Sequence, residues 1–235
     1  WLRTKLDSAW QQAQRDTEQR QAVALPTRSG TYLEFRSDPG AELVSKSLED
    51  IGQGIRLLSV TNRHVEGEQE LATFATVFIP ANKKGHFLKR VNQYTSETTK
   101  GGKPRHRPLI DSIADIQLAV VQSFWMDSAP MPETEAAWVE AWIRTEIGAE
   151  AEAEQRFRRL LADLGIQTTE GALQFPERTV IQIMASESQL VELVRSSDDV
   201  AEFRLAKDTP AFWLDVPNQD QAQAVKDLLS RLDVN

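Results

Sequence analysis

At 235 residues the chain is long enough for one large domain or two small ones, and 40% hydrophobic with 26% charged residues is the balance of an ordinary globular protein. A formal net charge of −8 argues against wholesale binding of nucleic acid or an anionic membrane, and the absence of cysteine removes disulfides, thiolate nucleophiles and cysteine-based zinc sites. No stretch approaches the roughly 18 uninterrupted apolar residues of a membrane span, the best candidate, 116–126, being short and holding Gln117 and Gln122.

The chain opens on Trp1 without a basic-then-apolar leader, so it is expected to be a segment of something longer. Leu2, Leu6, Trp10 and Ala13 recur at helical spacing among charged residues and predict an amphipathic helical arm over 1–29, ended by Pro26 and Gly30. An α+β domain is expected over 30–127. Its strands are Thr31 to Arg36, Ile55 to Asn62 and Leu71 to Ile79. One helix follows with Phe87, Leu88, Val91 and Tyr94 on a face, and a second with Leu109, Ile110, Ile113, Ile116 and Val120 behind Pro108. Val121 to Met126 then reads as a closing strand. Residues 128–135, with Pro130 and Pro132, read as a linker.

From 136 to 235 strand and helix alternate. Ala136 to Arg144 is a strand bearing Trp138 and Trp142, whose even spacing places both on one face as packing residues of a core or interface. Glu150 to Leu164 is a helix with acidic residues in its first turn and Gly165 at its stop. One or two strands lie around Pro176, Ser186 and Gln189 form a capping box, and Val200 to Leu205 is a strand. With Ile166 to Thr169 as a strand of its own, the pattern is β-α-β-β-α-β, the ferredoxin-like arrangement. An extra C-terminal helix carries Ala222, Val225, Leu228, Leu229 and Leu232.

No catalytic motif of a serine hydrolase is present, and no G-x-S-x-G elbow. His64, His86 and His106 read as solvent-facing and lie in no metal-binding spacing, so neither a metal nor a cofactor is expected. Positive charge concentrates in one stretch: Lys83, Lys84, Lys89, Arg90, Lys100, Lys103, Arg105 and Arg107 stand against the single acid Glu97. It reads either as a solvated segment offsetting an acidic chain or as a docking patch for an acidic protein surface. Nucleic acid ranks behind both, because the only aromatics nearby, Phe87 and Tyr94, fall on the core face. Trp213, in a Pro-flanked loop, is the tryptophan that reads most readily as a contact residue.

The ordered string of segments Gly30 to Phe35, Ala75 to Pro80, Phe87 to Tyr94, Phe124 to Asp127, Trp138 to Arg144 and Phe175 to Val180 resembles the region upstream of the catalytic domain in large bacterial subtilisin-like serine proteases. Members of that group are often encoded beside an AAA-type ATPase in gene pairs linked to phage defence. The D-[ST]-G, H-G-[TH] and G-T-S-M motifs of the family are absent, and Asp38-Pro39-Gly40 is not the aspartate motif, so no catalytic residue carries over. The resemblance implies a cytoplasmic regulatory region that acts as a propeptide-type chaperone and inhibitor of its own protease domain, as a docking module for a partner ATPase, or as both. The alternative reading is a stand-alone binding module that uses 83–107.

Overall fold

The structure is a computed structural model, described here for residues 1–207. It has α+β architecture: an N-terminal helix followed by two sheet-plus-helix units. The predicted C-terminal helix and Trp213 lie outside the described residues.

Helix α1 (Leu2–Ala22) buries Leu2, Leu6, Ala9, Trp10 and Ala13, the stripe its helical spacing requires. The first sheet is built from β1 (Thr31–Arg36), β2 (Arg56–His64), β3 (Leu71–Ile79) and β4 (Asp115–Leu118) in the order β2-β3-β1-β4, all neighbours antiparallel. Alternation sends Leu33, Phe35, Val77, Ile79 and Ile116 to one side, where they pack with α1, with Phe87 of α2 (Gly85–Ser96) and with Leu109 and Ile110 of α3 (Arg107–Asp111).

The second sheet uses β5 (Ala137–Arg144), β6 (Gln167–Phe175), β7 (Arg178–Ala185) and β8 (Val200–Leu205) in the order β6-β7-β5-β8, again antiparallel throughout. Helix α4 (Glu150–Asp163) joins β5 to β6 and α5 (Glu187–Ser196) joins β7 to β8, so this unit is a split β-α-β of ferredoxin-like topology. Phe157 and Leu161 of α4 and Leu190 and Leu193 of α5 pack on Val139, Ala141, Ile143, Ile181 and Phe203. The Ser186 amide donates to Gln189 Oε1 at 3.0 Å, the reciprocal half of the predicted capping box. Gly165, at φ +65°, ends α4 in the left-handed region that a side chain would resist.

Strand order in the two sheets is the same, second-third-first-fourth. The connection β1 to β2 in the first sheet has no α-helix, only two short 3₁₀ turns at Ser45–Leu48 and Ile51–Gln53. Helix α1, which precedes β1 in the chain, packs on β4 and β1 and covers that face in its place.

Three expectations need correction. The helix opening at Pro108 stops at Asp111, and 115–118 is instead strand β4 on the free edge of β1. Asp115, Ile116, Gln117 and Leu118 alternate with a period of two, and the unpaired edge of β1 offers the hydrogen bonds that decide between two readings of one apolar pattern. Residues Val121–Phe124 form a 3₁₀ turn rather than a strand. Residues 166–169 are not a separate strand, because β6 runs on to Phe175 through an irregularity between Thr168 and Ala172, and Pro176-Glu177 makes the turn to β7.

The two sheet units share one core. Tyr32, Leu58, Phe78, Val121 and Phe124 join the cluster that holds Val139, Ile181 and Phe203, and residues 1–205 form a single compact unit. Tyr32 is fully buried, with Phe124 edge-on at 5.0 Å, and donates to the Ser197 carbonyl at 2.9 Å. Burial raises its pKa well above the ordinary phenol value, so it remains a donor at any physiological pH. Gly30 comes so close to Phe78 that an added Cβ would stand 2.3 Å from the ring, and its amide donates to Asp198 at 2.9 Å. Arg20 near the end of α1 is buried, donating to the Pro26 carbonyl, to Glu192 and to Ser196, which ties α1 to α5.

Candidate functional site

The basic segment folds as a continuous region, from the 3₁₀ turn Ala81–Lys83 through α2 and a loop into α3. Half of its cations are engaged locally. Lys83 donates to Gln53 at 2.8 Å, Arg90 to the Ser47 carbonyl, Arg105 to Glu97 at 2.7 Å and Arg107 to Asp111 at 2.9 Å. Donation from Arg105 and then Gln93 holds the Glu97 carboxyl below its usual range, and donation from Tyr94 and then Arg107 does the same for Asp111. Lys84, Lys89, Lys100 and Lys103 have no carboxylate within ion-pair distance among the described residues. Lys89, Lys100 and Lys103 are exposed and Lys84 half-buried, so four cations of this segment remain free of local carboxylates.

His64, at the end of β2, is exposed, but the other two histidines are half-buried. His86 lies 3.8 Å from Asp50, and His106, at φ +59°, shares a hydrogen bond of 3.0 Å with Gln93. Burial first, and Arg90 second, lowers the pKa of both. Their partners are an aspartate and an amide, and among the described residues no serine or threonine hydroxyl bonds to either. Among the described residues no group of three or more His, Asp or Glu is gathered so as to hold a metal ion.

The second sheet carries the more distinctive surface. Its face away from α4 and α5 is set by register: Trp142 stands opposite Val180, which stands opposite Leu173, and Arg144 opposite Arg178, which stands opposite Phe175. Trp138 is 36% exposed, Phe175 45% and Leu173 64%. Trp142 is held between Phe175, stacked at 5.7 Å with an interplanar angle of 8°, and the Arg204 guanidinium 4.7 Å from its ring centre. With neighbours at this distance the Trp142 ring has no free face for a nucleobase, whereas the exposed Leu173, Phe175 and Trp138 suit an apolar protein surface. Sequence spacing put both tryptophans on one face. The contribution of β6 was not visible, since it depends on the turn at Pro176.

Where the two sheets meet, a cleft of about 500 Å³ is lined by Arg28, Phe78, Arg144, Arg156, Ser196 and Asp199, among others. The cleft is assembled from five separate stretches of chain, which no spacing in the sequence brings together.

A scan against protein-family models and a search of curated proteins find no match to this chain.

Proposed function

We propose that this chain is the non-catalytic regulatory and docking region of a bacterial subtilisin-like serine endopeptidase working in the cytoplasm, with the open face of the second sheet as the surface that meets the catalytic domain. The observation that carries this reading is a ferredoxin-like sheet whose helix-free face exposes Trp138, Leu173 and Phe175. Exposed apolar residues this large, grouped on one rigid sheet, cost solubility unless a partner covers them. The fold is the one the family resemblance implies for a propeptide-type chaperone and inhibitor. In this reading the sheet packs on the protease and a trailing segment of chain blocks the cleft.

A second contact belongs to the same proposal. The cations Lys84, Lys89, Lys100 and Lys103 suit the acidic surface of a partner such as an AAA-type ATPase, and they lie on the first unit, leaving the second sheet free for the protease. An interaction of this kind weakens steeply with salt; one made through the sheet face does not.

Peptide mass spectrometry of the natural gene product tests the assignment. A D-[ST]-G motif downstream of Asn235 is the expected result, and a cut near Asn235 assigns the propeptide role while an intact chain assigns the docking role. A natural product without that motif overturns the protease reading.

A further inference from the structure

The cleft between the sheets holds a guanidinium that, among the described residues, meets an aromatic ring but no acceptor. Arg144 makes no side-chain hydrogen bond and no ion pair among the described residues, and its Nε is fully buried without an acceptor. Its guanidinium lies 4.9 Å from the Phe78 ring centre, and directly across the sheet its neighbour is a second arginine, Arg178. Like charges opposed on adjacent strands are destabilising, and a half-buried charge without an acceptor costs further free energy. The same cleft is lined by Arg28, nine-tenths buried, whose Nη1 donates to the Val194 carbonyl at 2.7 Å and which also borders the groove between α1 and α5.

The acids in the cleft are already engaged. Asp199 accepts from Arg156 at 2.9 Å, and Asp198 accepts from the Ser29 hydroxyl and from the amides of Ser29 and Gly30. In the adjoining groove between α1 and α5 the situation differs, because Arg195 there is paired with both Asp16 and Glu192. Among the described residues, the inter-sheet cleft combines an arginine without a hydrogen bond or ion pair, a buried arginine and the Thr27 hydroxyl.

We infer that this cleft is a binding site for a small phosphorylated ligand, with the phosphate held between Arg144 and Arg28. Two guanidinium groups lining one cleft, with the Thr27 hydroxyl on the same lining, match the several acceptor oxygens of a phosphate. About 500 Å³ is room for a ligand larger than the phosphate itself. Phe78, Pro80 and Leu160 give the remainder of that ligand an apolar wall. The site draws on both sheet units, so occupancy would brace one against the other.

The test is isothermal titration of the purified chain with inorganic phosphate and with pyrophosphate, at millimolar concentration and at ionic strength matched with chloride, so that general salt effects on stability do not enter. Saturable binding is expected, weakened about tenfold or more by Arg144→Gln. Because Arg144 loses only its contact with the Phe78 ring while its opposition to Arg178 is relieved, that variant is expected to unfold at a urea concentration close to the parent's. Arg144→Lys keeps a charge over Phe78 and loses the planar fork; it is expected to fold and to bind several-fold more weakly. Absence of saturable binding overturns the proposal, and so do equal affinities in parent and variants. Arg144→Gln with lower stability and unchanged binding would make Arg144 a structural residue and overturn it too.

Discussion

In the first sheet the face turned away from the helices is closed by the molecule's own groups. Tyr32 and Phe78 enter the shared core, and Glu34, only 3% exposed, accepts from Arg63 and from Gln117 at 2.8 Å. Arg63 in turn lies 3.8 Å from the Phe74 ring centre. The second sheet has the same strand order, yet its corresponding face leaves Trp138, Leu173 and Phe175 exposed. A strand order therefore does not say whether a sheet is finished. The first is completed by an added helix and by the Glu34–Arg63 pair on its reverse. The second has its own two helices, and on the other side the first unit reaches Arg144 and Arg178 through Phe78 and Leu58 but leaves Trp138, Leu173 and Phe175 exposed. The part left exposed is the one we assign to a partner.

The largest expected effect comes from removing what completes the first sheet. Trp10 of α1 is 5% exposed and packs in the cluster with Leu33 and Phe35, so Trp10→Ala is expected to lower stability by about 3–5 kcal/mol in urea unfolding. A loss under about 1 kcal/mol would mean that α1 is only loosely placed. Arg20→Met tests the tie between α1 and α5. The Pro26 carbonyl and Glu192 lose a charged donor, and because Glu192 is one-third exposed the expected loss is smaller, about 2 kcal/mol.

The contrast sharpens with a substitution on the uncovered face. Phe175→Asp is expected to change stability by no more than about 0.5–1 kcal/mol, since its ring is half exposed and touches mainly Trp142. A large destabilisation would show that this face is structural core rather than a free surface.

The smallest effect concerns pH. Within the chain all three histidines fall in the first unit. For His86 and His106 the folded pKa is depressed below the ordinary 6.5, so the unfolded chain binds the proton more readily. Their contribution is present above about pH 6.5 and is lost as pH falls through the folded pKa values. Hydrogen exchange between pH 7.5 and 5.5 is expected to show α2 and α3 losing protection before α4 and α5. His86→Gln reduces that difference; equal losses in both units would contradict the assignment.

Much of this fold was legible from local pattern. β1 and β3 follow from short apolar runs between turn residues, α4 from its acidic start and Gly165, and α5 from Ser186 and Gln189. β4 was not, because Ile110, Ile113 and Ile116 also satisfy a helical spacing, and only the free edge of β1 resolves the choice. The basic segment was visible as composition, but which of its charges are spent locally was not. Arg107 meets Asp111 at i,i+4 spacing within α3, but Arg105 meets Glu97 eight residues away, a matter of loop path and not of spacing. The inter-sheet cleft was wholly illegible, since Arg28 and Arg144 are brought together only when both sheets close on Tyr32 and Phe78.

The assignment of the open sheet face is tested most directly by titrating the purified chain into the catalytic domain of its own gene product and following peptidase activity, with the parent and with Phe175→Asp in parallel. The parent is expected to suppress turnover stoichiometrically, and the variant, folded to the same urea midpoint within the limits above, to need about tenfold or more higher concentration. Equal suppression by both chains would place the contact elsewhere, and a catalytic domain indifferent to the parent would contradict the account.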